Sequence, residues 1–219
     1  MPFVAAATLQ ELPEAAGQST LAGAPLDSEH GRDTLGLVVH PRAPLPVFGS
    51  PAGTAFARIR SVLPVGETWL PVIEQQPGWV RVLLPSRPRG TTGWLDATRV
   101  TSARSRYDIQ IDFGASVLRL LYDSRPVATW PASFGALRAS IPPGRTFLLA
   151  SVRRTQLTPL LLLRLAAHVE DRNPGLLTIH AEPADHSEPI NRGCMRVPER
   201  AMTALGVVPP GGIVRIEAG

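Results

Sequence analysis

The chain has 219 residues, of which 44% are hydrophobic and 18% charged. That balance suits one large globular domain, or a small domain followed by a medium one, and excludes a disordered or membrane-embedded chain. All 22 basic residues are arginine and the net charge is only +4; the arginines are scattered singly, without a basic run or interleaved aromatics, so no nucleic-acid face is expected, although an anionic polymer would suit as a partner.

Residues 1–35 are rich in Ala, Gly, Ser, Pro and acidic side chains without sustained periodicity, which predicts a flexible tail or linker with no core of its own. The opening MPFVAAATLQELPEAAG has neither a basic n-region nor a full apolar h-region, so it is not a complete secretory signal. Its VAAAT resembles the small-residue end of one, which fits a start placed late or a lost leader as well as a plain flexible terminus. From Gly36 the pattern changes to short runs separated by Pro and Gly turns: LGLVVH, PLPVFGSP, AFARIRSV, TWLPVIEQ, GWVRVLLP and GWLDATRV. Strands at that spacing predict a small barrel over 36–101. Of Trp69, Trp79 and Trp94, at least two are expected to pack in its core.

After the polar linker TSARSR a second β-rich region opens. Tyr107, Ile109 and Ile111 alternate with Asp108, Gln110 and Asp112, GAS turns the chain into VLRLLYD, and the DSRP turn leads to a third strand. RTFLLASVRR continues the strand pattern, and PERAMTAL predicts one short helix. The apolar run LLLL at 160–163 is interrupted by Arg164; it is far below the roughly 20 residues of a membrane span and reads as core, so no transmembrane segment is expected. The predicted fold class is all-β, or β-dominated, over 106–217 as well.

The chain's single cysteine, Cys194, follows His180 by fourteen residues within TIHAEPADHSEPINRGCMRV. A lone thiol is either inert and buried or chemically used. With an ordinary thiol pKa of about 8.5, only a few per cent is thiolate at neutral pH, so a catalytic cysteine needs a base beside it, and His180 is placed to be one. Gly193 suits a tight turn whose N–H groups face a developing oxyanion. Spacing alone leaves two other readings open. One is an inert thiol beside an incidental histidine. The other is a zinc site using His180, His186 and Cys194 with Asp185 or Glu182, whose spacings match no common zinc pattern. His186 reads as a solvated loop residue, and His168 as a core or edge histidine.

Two resemblances extend these readings. The GWVRV strand, its turn, and GWLDATRV make 36–101 similar to a bacterial SH3-like domain, a module that commonly recognises cell-wall or peptide ligands. The LLTIH strand, a polar loop, the tetrapeptide Gly193-Cys194-Met195-Arg196 and a following helix make 106–217 resemble the L,D-transpeptidase catalytic domain, also called the YkuD domain. YDIQIDFGASVLRLLYDSRPVATWPASFG, SIPPGRTFLL and GGIVRIEAG are similar to that family's opening, middle and closing strands.

The second resemblance implies a cysteine-dependent acyltransferase acting on peptidoglycan stem peptides, donor and acceptor, outside the cytoplasmic membrane. Cys194 would be the nucleophile and His180 the general base. Backbone N–H groups near Gly193 and Cys194 would hold the oxyanion, the Ala181 carbonyl would orient the imidazole, and Arg196 would hold the turn or meet the donor's carboxylate. No metal, nucleotide or other cofactor is implied. An L,D-carboxypeptidase using water on the same site and an inactive wall-binding protein are the alternatives. The chain departs from the family at Asn191-Arg192, where Ser/Thr-His is usual, and at His180-Ala181-Glu182, where His-Gly-Thr is usual.

Overall fold

The structure is a computed structural model that describes residues 6–17, 19–29, 31, 32, 34, 36–134, 141, 143–154, 160–168, 176–182 and 194–217. Among these, seventeen strands stand against two short α-helices and one 3-10 turn, a β-dominated fold. The chain divides into two compact units, Met1–Arg104 and Ser105–Gly219.

In the first unit, helix α1 (Ala6–Glu11) precedes strands β1 (Leu37–Pro41), β2 (Leu45–Phe48), β3 (Ala55–Ile59), β4 (Val62–Leu63), β5 (Gly66–Glu67), β6 (Leu70–Gln76), β7 (Trp79–Leu83), β8 (Thr92–Asp96) and β9 (Val100–Arg104). Seven of these form one sheet in the order β3-β2-β8-β7-β6-β1-β9, with β4 and β5 paired as a separate hairpin. A one-turn 3-10 helix, Ala97–Arg99, joins β8 to β9, its first turn capped by the Asp96 carboxylate accepting from the Thr98 N–H at 2.9 Å. Trp79 and Trp94 are buried with Phe48, which meets the Trp79 ring edge-on at 5.3 Å; Trp69 is only partly buried and lies against His40. Gly93 is dictated by close approach, since a Cβ there would stand 2.1 Å from Val47 Cγ1. The expected linker at 101–104 is instead the edge strand β9, paired along its length with β1.

The expectation of a flexible tail over 1–35 needs correction for residues 13–27. Here the chain pairs with the sheet in isolated bridges: the Arg58 N–H donates to Pro13 O at 2.9 Å, the Leu21 N–H to Arg87 O at 2.8 Å, and the Asp27 N–H to Gly90 O at 2.8 Å. Ala15 and Leu21 are buried, and the Glu14 carboxylate sits 2.7 Å from the Arg60 guanidinium. Periodicity could not reveal this segment, because it borrows its core from the sheet one residue at a time.

The second unit contains β10 (Tyr107–Asp112), β11 (Val117–Tyr122), β12 (Arg125–Pro131), β13 (Gly144–Arg154), β14 (Leu160–His168), β15 (Leu176–Ala181), β16 (Cys194–Val197), α2 (Glu199–Leu205) and β17 (Ile213–Glu217). They form an eight-stranded sheet ordered β12-β11-β10-β17-β13-β14-β15-β16. Just past β12, Ser133 exchanges two 2.9 Å backbone hydrogen bonds with Arg196 of β16, so the two ends of the sheet meet. The alternation expected in β10 holds: Ile109 and Ile111 are fully buried, while Asp108 and Asp112 face arginines Arg215 and Arg119 at 3.9 and 3.2 Å. The expected helix forms as α2, and its Ala201, Met202 and Leu205 join Leu177, Ile179, Met195 and Val197 in the core. That core fixes the inner faces of β15 and β16.

The 13–27 segment yields a first prediction. Leu21→Ala removes a buried side chain from a site backed by the sheet and should destabilise the first unit by about 2 kcal/mol or more. Urea unfolding followed by tryptophan fluorescence reads this, three of the four tryptophans being in that unit; an unchanged midpoint would mean the segment contributes no packing.

Candidate active site

Strand β15 alternates strictly. Leu177, Ile179 and Ala181 face the core, and Leu176, Thr178 and His180 lie on the other side, partly buried. Strand β16 runs parallel to it, with Thr178 opposite Cys194, Ile179 opposite Met195, His180 opposite Arg196 and Ala181 opposite Val197. Met195 and Val197 belong to the core. The register therefore places Thr178, His180, Cys194 and Arg196 on the single face turned away from it.

On that face hydrogen bonding between His180 and Cys194 is the largest influence on the titration of each group. The His180 Nδ1 lies 2.9 Å from the Ala181 carbonyl oxygen. Because a carbonyl oxygen only accepts, Nδ1 carries the hydrogen, and Nε2 is left to exchange a proton with the thiol. The Thr178 hydroxyl donates to Cys194 Sγ at 3.3 Å. These contacts bias the proton's position. The bond to His180 holds the Cys194 thiol below its ordinary pKa against the opposing effect of burial, with help from the Thr178 hydroxyl and the nearby charges of His180 and Arg196. The same bond, aided by the Ala181 carbonyl, holds the imidazole above its ordinary pKa against burial and the repulsion of Arg196. Each shift leans toward the charged form of its group, and the two groups titrate as a coupled pair.

The residues singled out in the sequence divide as follows. Cys194, His180 and the Ala181 carbonyl come together. The methyl of Ala181 points into the core, so its place in His180-Ala181-Glu182 leaves the backbone contact intact, and the Glu182 N–H continues the pairing to Val197 O at 2.8 Å. Arg196 is buried beside the pair, its backbone tied to Ser133. Gly193, Asn191, Arg192, Asp185 and His186 lie outside the described residues, as does the side chain of His168. Among the described residues, no three His, Cys, Asp or Glu side chains converge as a metal site would require. Thr178 was missed in the sequence. The alternation of LLTIH already puts it on His180's side, but only the register with β16 brings it to the sulfur.

No family model matches the chain, and no curated protein does. Among solved structures it is similar to Bd1075 of Bdellovibrio bacteriovorus, at 20% identity over 52% of this chain and 48% of that one, with a TM-score of 0.43. It is similar also to residues 123–326 of the L,D-transpeptidase from Xylanimonas cellulosilytica, at 23% identity over 52% and 62% of the two chains, TM-score 0.38. An L,D-transpeptidase from Mycobacterium tuberculosis H37Rv is similar at 12% identity over 64% and 90%, TM-score 0.42. The chain thus spans about half the length of Bd1075. Each likeness is one of fold over part of the chain.

The coupled pair has a consequence in pH. A thiol held below its ordinary pKa stays reactive as pH falls until that lowered value is crossed. Alkylation of Cys194 by iodoacetamide, followed by intact mass, should therefore reach half its plateau rate below the midpoint of an ordinary thiol. In His180→Ala the largest favourable contact is gone and the midpoint should rise. A wild-type midpoint no lower than that of a free thiol would exclude this lowering.

Proposed function

We propose that the second unit is a cysteine-dependent acyltransferase of the L,D-transpeptidase type, acting on peptidoglycan stem peptides. The observation that carries the proposal is the parallel register of β15 and β16, which brings Cys194 and His180 to one face, with Nδ1 anchored on the Ala181 carbonyl. A thiol whose proton passes to an adjacent imidazole yields both the nucleophile and the proton that the leaving amine requires. The sequence motifs around the pair supply the substrate class.

In this reading Cys194 Sγ attacks the carbonyl that joins the L-centre of the donor's diamino acid to its terminal D-Ala. A C–S bond forms, and the resulting oxyanion is received by backbone N–H groups at Gly193 and Cys194. His180 Nε2 gives its proton to the departing amine, the C–N bond breaks, and D-Ala leaves with a thioester on the enzyme. The amine of a second stem's diamino acid then attacks the thioester and loses a proton to His180. The thiolate is expelled, joining the third residues of two stems. The first unit, read as an SH3-like module, would bind wall material, and the reaction takes place outside the cytoplasmic membrane. Among the described residues no helix is long and apolar enough to cross a membrane.

A carbapenem tests the acylation step, because its strained amide traps the same thiolate. Intact mass should show one adduct on the wild-type protein and none on Cys194→Ala, with His180→Ala acylating some 10²- to 10⁴-fold more slowly. Absence of an adduct on the wild type would overturn the proposal. With a disaccharide tetrapeptide as substrate, a cross-linked dimer is the expected product, and a tripeptide alone would reassign the second step to water.

A further inference from the structure

We infer that Thr178 is a further catalytic residue, whose hydroxyl holds the Cys194 sulfur as thiolate before attack and receives it again on expulsion. The catalytic consequence rests on the acyl-transfer reading, but the contact itself does not. Thr178 is the residue of β15 directly opposite Cys194 in the parallel register, on the same face, with its Oγ1 3.3 Å from Sγ. A branched β-carbon in a strand has few χ1 states, so the hydroxyl is held near the sulfur instead of visiting it. The same β15 side chain row carries His180, so one strand presents both the proton carrier and a neutral donor to one sulfur.

The contact is selective for one form of the cysteine. A hydroxyl hydrogen bond to an anionic acceptor is roughly twice as strong as one to a neutral group, and the sulfur is anionic as the attacking and as the expelled thiolate and neutral in the thioester. Thr178 thus favours both ends of the cycle over the acyl-enzyme. On acylation the hydroxyl releases its hold as the S–C bond forms. When an acceptor amine expels the sulfur, the bond re-forms with the departing thiolate. His180 cannot supply this last contribution alone, because at that moment it is receiving the acceptor's proton. The other charged groups facing the sulfur among the described residues are His180 from β15 and Arg196 from β16, and neither changes when Thr178 is replaced.

The test compares Thr178→Val, which keeps the branched shape and removes the hydroxyl, with Thr178→Ser, which keeps the hydroxyl and removes the methyl. The pH dependence of Cys194 alkylation by iodoacetamide is measured on each full-length protein by intact mass; in this reaction the thiolate displaces iodide and no wall substrate is needed. Thr178→Val should move the midpoint upward and slow alkylation about three- to tenfold on the acid side, and Thr178→Ser should return it toward wild type. Thr178→Ala gives the same reading if Val packs badly against β16. A wild-type midpoint in the Val and Ala variants, or a Ser variant as impaired as Val, would overturn the inference. A carbapenem arm on the same proteins keeps the two ideas apart. Failure of the wild type to acylate sinks the acyl-transfer reading, while the alkylation midpoints still decide the role of the hydroxyl.

Discussion

The parallel pairing of β15 with β16 is the constraint on which the site depends. Side chains in a strand alternate with period two, so a slip of one residue would carry Cys194 and Arg196 into the core and bring Met195 and Val197 to the surface. The core forbids that slip. Leu177, Ile179, Met195 and Val197 pack together with α2, and burying a thiol and a guanidinium in their place would lose apolar burial and strand a charge. Hydrophobic packing on one side of the two strands therefore sets the geometry of the polar groups on the other. The exchange of backbone hydrogen bonds between Ser133 and Arg196 holds the far edge of β16, joining the two ends of the sheet at the strand that carries the cysteine.

Once the register is set, the electrostatics follow from short contacts on one face. Cys194 and the Ala181 carbonyl both raise the imidazole's pKa, while the imidazole, the Thr178 hydroxyl and the Arg196 guanidinium all lower the thiol's. Burial opposes both charges, so the pair exists because the two groups meet. Either one alone at that depth would revert toward its neutral form. Arg196 acts unequally, lowering the thiol's pKa and also the imidazole's, and in the imidazole it is opposed first by Cys194 and then by the Ala181 carbonyl.

The parts of the fold that were legible in the sequence are those in which one segment reports its own environment. Alternation in Tyr107–Asp112 placed Ile109 and Ile111 inward, the Gly-Trp segments marked strands, and PERAMTAL marked α2. Cys194 and His180 were legible as candidates: their spacing left an inert thiol and a zinc site open, and the motifs that resemble the L,D-transpeptidase domain singled them out. The 13–27 segment was not legible, since its bonds to Arg58, Arg87 and Gly90 are isolated bridges that leave no period in the sequence. Thr178 was missed for a related reason: threonine is an ordinary strand residue, and nothing local to LLTIH shows what lies across from it.

The sequence by itself determined which residues alternate and where the chain turns, because each of these is a property of a few consecutive residues, and it offered Cys194 and His180 as candidates for a site. The tertiary structure decided which strands became neighbours and in what register. Parallel strands cannot be joined by a tight turn, so β15 and β16 find their alignment through shared burial against α2 and the rest of the core, not through the chain that connects them. That alignment turned a cysteine and a histidine fourteen residues apart into a bonded pair, and added to it a threonine hydroxyl and a carbonyl that the sequence alone left unremarkable.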